Sequence, residues 1–233
     1  MTIRRRDLLV VVLAFVSGYT DGIGFLALGG VFTSVMTGNM VLLGLSVGRG
    51  DVETGGRALG AILTFIAGAA LGTRIAGVPA KQDPVWPRPV NRALALELAI
   101  FTASAVGWFV TVGKPDTVVQ FALLLVSAVA LGVQSSTVQR FGVSGLSTTY
   151  LTGTLTSAVI HMVSHRTARG SERHWNIIGA LVLGAAAAAV MHAVARPALP
   201  VPQLAGLVLV LAFAVRATGR EDRATAAPDR SGA

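Results

Sequence analysis

An acidic residue lies inside an apolar stretch near the start of the chain. Asp21 is the only charged residue between Leu8 and Gly48, about two-thirds of the way along the first apolar segment. A carboxylate within a membrane is costly and by default marks a functional site, such as a proton site, a cation site or a buried pair. The alternative is that the segment ends early and that Asp21 caps the next turn at the membrane surface. We predict that Asp21 binds a coupling cation or proton, or a cationic group of a substrate.

Two short motifs could supply uncharged ligands to the same site. They are Thr37-Gly38-Asn39 and Thr152-Gly153-Thr154. Glycine lets backbones approach closely, while the hydroxyl and amide groups offer hydrogen bonds to a solute. The alternative is that these small residues only pack helices together. Gln134 lies at or beside the position that matches Asp21 in the second half. If the two halves face one cavity, Asp21 and Gln134 would therefore face it from opposite sides.

Other candidate groups lead to weaker predictions. His161 and His165 are four residues apart, as metal ligands on one helix face often are, but no acidic residue lies between them. We therefore expect neither a metal nor a cofactor. Glu97 lies near the start of its apolar segment, so we expect its carboxylate to reach the membrane surface and pair with Arg92.

One motif allows an enzymatic interpretation. Gly142-Val-Ser144-Gly145 resembles the Gly-x-Ser-Gly motif of rhomboid intramembrane proteases, which also have six spans and a histidine on a late helix. The resemblance implies a dyad of Ser144 and His192. Four-residue matches of this kind are common in helices rich in Gly and Ser, so a protease is only the third interpretation and we expect no enzyme.

The segments that carry these residues are strongly apolar. Mean hydropathy is +0.68, and 53% of the residues are apolar while 13% are charged. A soluble domain has about a quarter of its residues charged. Runs of about 20 apolar residues are needed to cross the ~30 Å hydrocarbon core as a helix. The sequence predicts an all-α polytopic membrane protein with six full spans, at about 8–28, 58–77, 93–112, 117–138, 175–195 and 199–217.

Two further apolar segments, 33–48 and 146–163, are short and rich in Gly, Ser or Thr. They resemble each other, and neighbouring residues match at offsets of 114 to 116. A nearly constant offset across three segments indicates an internal duplication. The matching pairs include 36–40 with 151–155, Gly18 with Gly132, and Gly68 with Gly184.

The distribution of basic residues distinguishes two arrangements of the short segments. If both span the membrane, eight helices form two parallel halves, with 13 Lys and Arg residues inside and 6 outside. If both are re-entrant, six spans form two inverted halves, with 15 inside and 4 outside. Because cytoplasmic loops are enriched in Lys and Arg, we favour the inverted arrangement.

This arrangement also predicts the organisation and location of the chain. We expect one transmembrane domain over 1–217, with halves of about 7–112 and 117–217, and a disordered cytoplasmic tail over 218–233. Both termini would be cytoplasmic, in the bacterial inner membrane. The net charge of +8 is accounted for by cytoplasmic loops, so the expected partner is the lipid bilayer and not nucleic acid. Gly68-x-x-x-Gly72 could serve internal packing or a homo-oligomer.

Four sequence motifs resemble those of the YoaK family of bacterial membrane proteins, which is classed as a domain of unknown function. The resemblance runs from Asp7 to about Ala217, and it implies a multi-span inner-membrane protein without assigning a substrate. The sequence departs from the family pattern at Ser135-Ser136, where Asn-Ala is expected. The matching motifs are Gly18-Tyr-Thr-Asp21-Gly, Phe32-x-x-x-Met36-Thr37-Gly38-Asn39, Gly132-Val-Gln134 and Thr148-Thr-Tyr-Leu-Thr152-Gly153-Thr154.

Inverted repeats with a broken or re-entrant helix in each half are a recurring design of transporters. We therefore predict a transporter or channel for a small solute, whose site is lined by the two Thr-Gly segments and Asp21. The alternative is a membrane scaffold or sensor that transports nothing, in which the helix interfaces are dry.

Overall fold

The computed structural model describes residues 1–80, 82–141 and 168–225, with six separate residues between 153 and 163. This described part is helical. A short 3-10 helix, Arg196–Ala198, precedes the last α-helix. The α-helices are α1 Ile3–Ala27, α2 Met36–Arg49, α3 Val52–Ala76, α4 Arg88–Val110, α5 Thr117–Gln139, α6 Ala168–Val194 and α7 Pro200–Thr225.

Six of these helices are long and apolar enough to cross a membrane, which confirms the six predicted spans. The exception is α2, whose 14 residues extend about 21 Å at 1.5 Å per residue. Four spans begin five to seven residues earlier than predicted, at Ile3, Val52, Arg88 and Ala168. The charged residues in these first turns belong to the helices, because a spanning helix continues from the hydrocarbon core into the polar headgroup region.

The predicted tail is also shorter than expected. Helix α7 continues to Thr225, so the prediction that disorder begins at residue 218 is wrong for 218–225. Arg, Glu and Ala are good helix formers, and the next proline is Pro228, so the helix can extend beyond its apolar part. Residues 226–233 lie outside the described part of the chain.

Helices α1 and α6 cross in close contact, and glycines make that contact possible. A Cβ atom on Gly18 would collide with the backbone of Leu181, and one on Gly184 would collide with the backbone of Phe15. One turn further along, Gly22 faces Ala188. Residue numbers rise together along both helices, so α1 and α6 run parallel.

Helices α3 and α5 cross in the same way. A Cβ on Gly68 would collide with the backbone of Val129, one on Gly72 would approach Val133, and one on Gly132 would collide with Phe65. Both glycines of the Gly68-x-x-x-Gly72 motif thus pack inside the chain. Since Gly18 matches Gly132 and Gly68 matches Gly184 in the repeat, the first helix of each half packs on the third helix of the other half. The two crossings are equivalent, as a duplication requires.

The remaining contacts fix the directions of the helices. Tyr19 Oη donates to the carbonyl of Leu199 at 2.9 Å, and a Cβ on Gly206 would meet Val16, so α1 and α7 are antiparallel. Trp108 Nε1 donates to the Arg196 carbonyl at 3.2 Å, at the end of α4 and the start of α7. Thus α1, α4 and α6 run one way while α3, α5 and α7 run the other.

The spanning helices α1, α3 and α4 of the first half therefore run opposite to their counterparts α5, α6 and α7, as the inverted arrangement predicts. The N-side of the bundle contains the starts of α1, α4 and α6, and the far side contains their ends. One apolar core lies toward the N-side, around Leu13, Leu94 and Leu131, and a second lies toward the far side, around Tyr19, Trp108 and Leu199.

Candidate functional site

The chain turns back into the bundle immediately after α1. Gly29 and Gly30 have φ angles of 108° and 75°, in the left-handed region that glycine adopts without strain. The backbone then returns through buried residues until α2 starts at Met36. Arg57, in the first turns of α3, donates to the Gly29 carbonyl at 3.4 Å, so the end of α1 and the start of α3 lie together at the far side.

Asp21 receives this returning segment. Its Oδ1 atom accepts hydrogen bonds from the backbone N–H of Thr33 at 2.7 Å, the Thr33 hydroxyl at 2.9 Å and the backbone N–H of Ser34 at 2.7 Å. Its Oδ2 atom accepts from the Ser34 hydroxyl at 2.5 Å. The residue is 5% exposed. Non-helical backbone at this depth requires such partners, because no water is present to satisfy its N–H groups.

Asp21 therefore caps the next turn, as the alternative interpretation proposed, but it does so from inside the bundle. Helix α1 continues six residues beyond it, to Ala27, so the span does not end early at the membrane surface. The carboxylate also lies just before the N-terminus of α2, where a negative charge is favourable. All four hydrogen bonds to the carboxylate come from the protein, so Asp21 positions the turn before α2. Its binding of a coupling ion stays a prediction.

The first Thr-Gly motif holds the same segment from the other side. Asn39 is fully buried, accepts from the Phe32 N–H at 2.9 Å and donates to the Phe32 carbonyl at 2.6 Å. A Cβ on Gly38 would lie 3.1 Å from the Phe32 ring, so glycine leaves room for that ring. Thr37 is exposed and points away. The motif clamps the turn before α2, and its role as a ligand remains a prediction.

Gln134 contacts α1 one turn before Asp21. Its Nε2 atom donates to the Ser17 hydroxyl at 2.7 Å and to the Leu13 carbonyl at 3.2 Å, and the residue is fully buried. Asp21 and Gln134 thus both contact protein groups on or next to α1. That the two side chains face one cavity stays a prediction.

The second Thr-Gly motif is largely outside the described residues. Gly153 is helical and half-buried, whereas Thr152 and Thr154 fall outside the described part, as do Ser144, His161 and His165. Among the residues that were described, no group of three or more His, Asp and Glu side chains could hold a metal ion.

A small cavity lies toward the far side, among the four helices α1, α4, α5 and α7. Three of its lining residues are polar: Ser104, Ser127 and Gln203, each less than 10% exposed. The Oε1 atom of Gln203 accepts from the Thr20 hydroxyl at 3.1 Å. Sequence reasoning missed these residues, because single Ser and Gln residues in apolar spans give no signal of which helix face they occupy. The remaining lining residues are Ile23, Leu28, Trp108, Leu123, Leu199 and Pro200.

The prediction that Glu97 reaches the membrane surface and pairs with Arg92 is wrong. The residue is fully buried, and among the described residues neither carboxyl oxygen has a hydrogen-bond partner. Helix α4 begins at Arg88 rather than near residue 93, so Glu97 lies nine residues into the helix, too deep to reach the surface. Arg92 is exposed, away from it. The sequence does contain a signal of this burial: apolar residues flank Glu97 on both sides, and it is the only charged residue between Arg92 and Lys114.

An ion pair lies outside the spans on the N-side. Arg140, at the end of α5, pairs with both carboxyl oxygens of Asp83, and its Nη2–Oδ1 distance is 2.8 Å. Its Nε atom donates to the carbonyl of Ala76, at the end of α3, at 2.8 Å. The hydrogen bonds from Arg140 and then the Ala80 N–H lower the pKa of Asp83 below its usual value. The pair ties the α3–α4 loop to two helix ends.

Comparisons with known proteins agree with this architecture. The family model described as "Protein of unknown function (DUF1275)" matches residues 9–215. The UPF0700 transmembrane protein YoaK of Bacillus subtilis (strain 168) is 37% identical over 152 residues, which is 65% of this chain and 65% of the relative. The chain thus aligns with just under two thirds of that relative's length. No solved structure matches this chain.

Proposed function

We propose that this chain, a multi-pass membrane protein that belongs to the DUF1275 family, carries a small solute across the bacterial cytoplasmic membrane. The observation that carries this proposal is the inverted pair of halves, in which α1 of one half crosses α6 of the other and α5 crosses α3. Two structurally equivalent crossings allow two alternative packings of similar energy, which alternating access requires. The reaction is movement alone, and we expect no chemical step.

In this proposal α2 is re-entrant. The turn that precedes it is bonded to Asp21, six residues before the end of α1, and its last residues adjoin the start of α3 on the far side. The helix therefore enters and leaves on one side of the membrane. The N-side, which carries the Arg-rich start of the chain and Arg140, is the cytoplasmic side, since basic residues concentrate there. Both termini are then cytoplasmic.

The solute path in this proposal includes the cavity between α1, α4, α5 and α7. Ser104, Ser127 and Gln203 offer hydroxyl and amide groups to an uncharged or zwitterionic solute. Asp21 and Asn39 hold the turn before α2 in place beside this cavity, and a movement of α2 would alter access to it. The Thr-Gly segments remain candidate ligands in a second state.

Thiol labelling tests whether the cavity is wet. The chain has no cysteine, so Ser127→Cys can be compared with Ala130→Cys, which lies one turn away on α5 and packs in the apolar core. A small impermeant methanethiosulfonate reagent should label position 127 in proteoliposomes and leave position 130 unlabelled. Failure to label 127 under any solute or ion gradient would contradict transport through this cavity.

A second function has one observation in its favour. All the acceptor bonds of Asp21 and the amide bonds of Asn39 are made within the protein, as expected for a scaffold or sensor with dry helix interfaces. The labelling of Ser127→Cys separates the two functions.

An intramembrane protease is the third candidate, and an unchanged phenotype of Ser144→Ala would eliminate it.

A further inference from the structure

Glu97 occupies a face of α4 where no described side chain compensates a negative charge. The face consists of residues spaced three or four apart, and its other members are Leu94, Phe101, Ser104 and Trp108. Leu94 and Phe101, one turn to either side of Glu97, are both fully buried in the N-side core. Among the described residues, the Glu97 carboxyl group therefore has no hydrogen-bond donor.

No described cation approaches this carboxyl group from the elements that pack on α4. Helix α5 has no charged residue between Thr117 and Gln139, and Arg74 of α3 and Arg216 of α7 are exposed near the N-side ends. Arg57, at the far-side end of α3, is paired with Glu53 at 2.7 Å. The buried Arg6 of α1 is paired with Asp7 at 2.8 Å. An isolated ionised carboxylate is costly in such surroundings, so the carboxyl group is neutral in this arrangement and carries a proton.

The same face of α4 leads to the polar cavity. Ser104 and Trp108 line the cavity, and Ser104 lies seven residues after Glu97, about two turns or 10 Å along the helix. Phe101 lies between Glu97 and Ser104 on this face and is fully buried.

We propose that Glu97 is a proton-carrying site, which exchanges its proton with the far-side cavity when Phe101 moves and so couples solute movement to a proton gradient. This inference rests on the proposed transport function. In the exchange the carboxyl O–H bond breaks, the proton passes to a cavity water, and the carboxylate remains until it is protonated again. A metal cation is a poor fit, because Na⁺ needs several oxygen ligands and the described residues place no other oxygen on this carboxyl group.

Infrared spectroscopy of the reconstituted full-length protein tests the site without a known substrate. At about pH 5 we expect a protonated-carboxyl C=O band that shifts in D₂O and falls at least about tenfold by about pH 9. The band should be absent from Glu97→Gln, which keeps the shape of a neutral acid, and retained in the control Asp21→Asn. In Phe101→Ala, exchange of the carboxyl proton for deuterium should be at least about tenfold faster.

Two results would overturn the proposal. A band of constant intensity across this pH range would mean a permanently neutral structural group, and an unchanged band in Glu97→Gln would mean that the group is ionised or that the signal belongs elsewhere. The transport function is judged separately. If Glu97 titrates while Ser127→Cys stays unlabelled, transport fails and the proton site stands. If Ser127→Cys is labelled and Glu97 does not titrate, the proton site fails and transport stands.

Discussion

At the scale of single residues, Asp21 lies within the first span and yet has no ionic partner among the described side chains. Its carboxylate is stabilised instead by four hydrogen bonds from Thr33 and Ser34, two of them from backbone N–H groups. Those N–H groups precede α2 and have no partner within a helix. The charge and the irregular backbone therefore stabilise each other, and neither would be tolerated alone at this depth.

Asp21→Asn should destabilise the protein, because an amide offers one acceptor atom and directs its own N–H toward groups that are already donors. Charge-assisted hydrogen bonds contribute more than neutral ones, so we expect a loss of about 2 to 3 kcal/mol. Thermal unfolding in detergent, followed by tryptophan fluorescence, measures the loss. The matched control is Thr37→Ala, which removes an exposed hydroxyl and should change stability by less than about 0.5 kcal/mol. A stable Asp21→Asn protein would refute the positioning role.

The ion pair of Asp83 and Arg140 predicts a pH dependence of stability. The pKa of Asp83 is lower in the folded protein because Arg140 and the Ala80 N–H bind its charged form. Its stabilising contribution is therefore complete above the unfolded-state pKa of about 3.9, and it is lost as the pH falls through the lower folded-state value. The stability difference between the native protein and Asp83→Asn should be constant above about pH 5 and shrink in stronger acid. A constant difference down to about pH 2 would contradict this role for the pair.

The sequence showed which of these residues are unusual, but not what they contact. Asp21 stands out because it is charged in an apolar run, while its partners depend on a reversal at Gly29 and Gly30 that no periodicity predicts. Glu97 was misplaced for a local reason. The span was predicted to start at residue 93, whereas the helix starts at Arg88, and five residues are enough to move a carboxyl group from the membrane surface to the core.

At the scale of helices, the paired glycines determine how closely the spans approach. Gly18 and Gly184 contact the backbone of the opposite helix, as do Gly68 and Gly132 in the equivalent crossing. Lipid offers little hydrophobic driving force for association, so such close backbone contact is a main source of attraction between spans. The spacing of apolar residues predicted the six spans, and the repeat offsets identified these glycines. Neither could show that the partners belong to opposite halves.

Gly18→Ala should separate α1 from α6, because the added methyl group would collide with the backbone of Leu181. Overpacking of this kind costs about 1 to 3 kcal/mol, and Gly132→Ala should cost a similar amount in the equivalent crossing. Gly44→Ala is the control, since that position in α2 is exposed and a Cβ there would meet nothing within 4 Å. We expect Gly44→Ala to be neutral or to stabilise by up to about 1 kcal/mol. Equal stability of the Gly18 and Gly44 variants, measured by thermal unfolding, would contradict the close crossing.

At the scale of the whole molecule, the opposite directions of the two halves link the fold to transport. Among the basic residues that the structure describes, the far side carries only Arg49, Arg57, Lys114 and Arg196. The charge bias predicted the inverted arrangement, and the contacts that fix the helix directions agree with it. The identity of the solute does not follow from either, because the cavity offers only hydroxyl and amide groups, which many solutes can bind.

The most direct test is the side of the membrane on which each end of α3 lies. Val52→Cys and Val78→Cys place one thiol at either end of this span, at positions that are 85% and 68% exposed, in a chain without cysteine. Intact cells are labelled with a membrane-impermeant thiol reagent, and permeabilised cells provide the control. We predict labelling at 52 and none at 78 until the cells are permeabilised. Labelling at 78 but not at 52 would place the far side in the cytoplasm, and labelling at both would mean that α3 does not span, which would contradict the inverted halves.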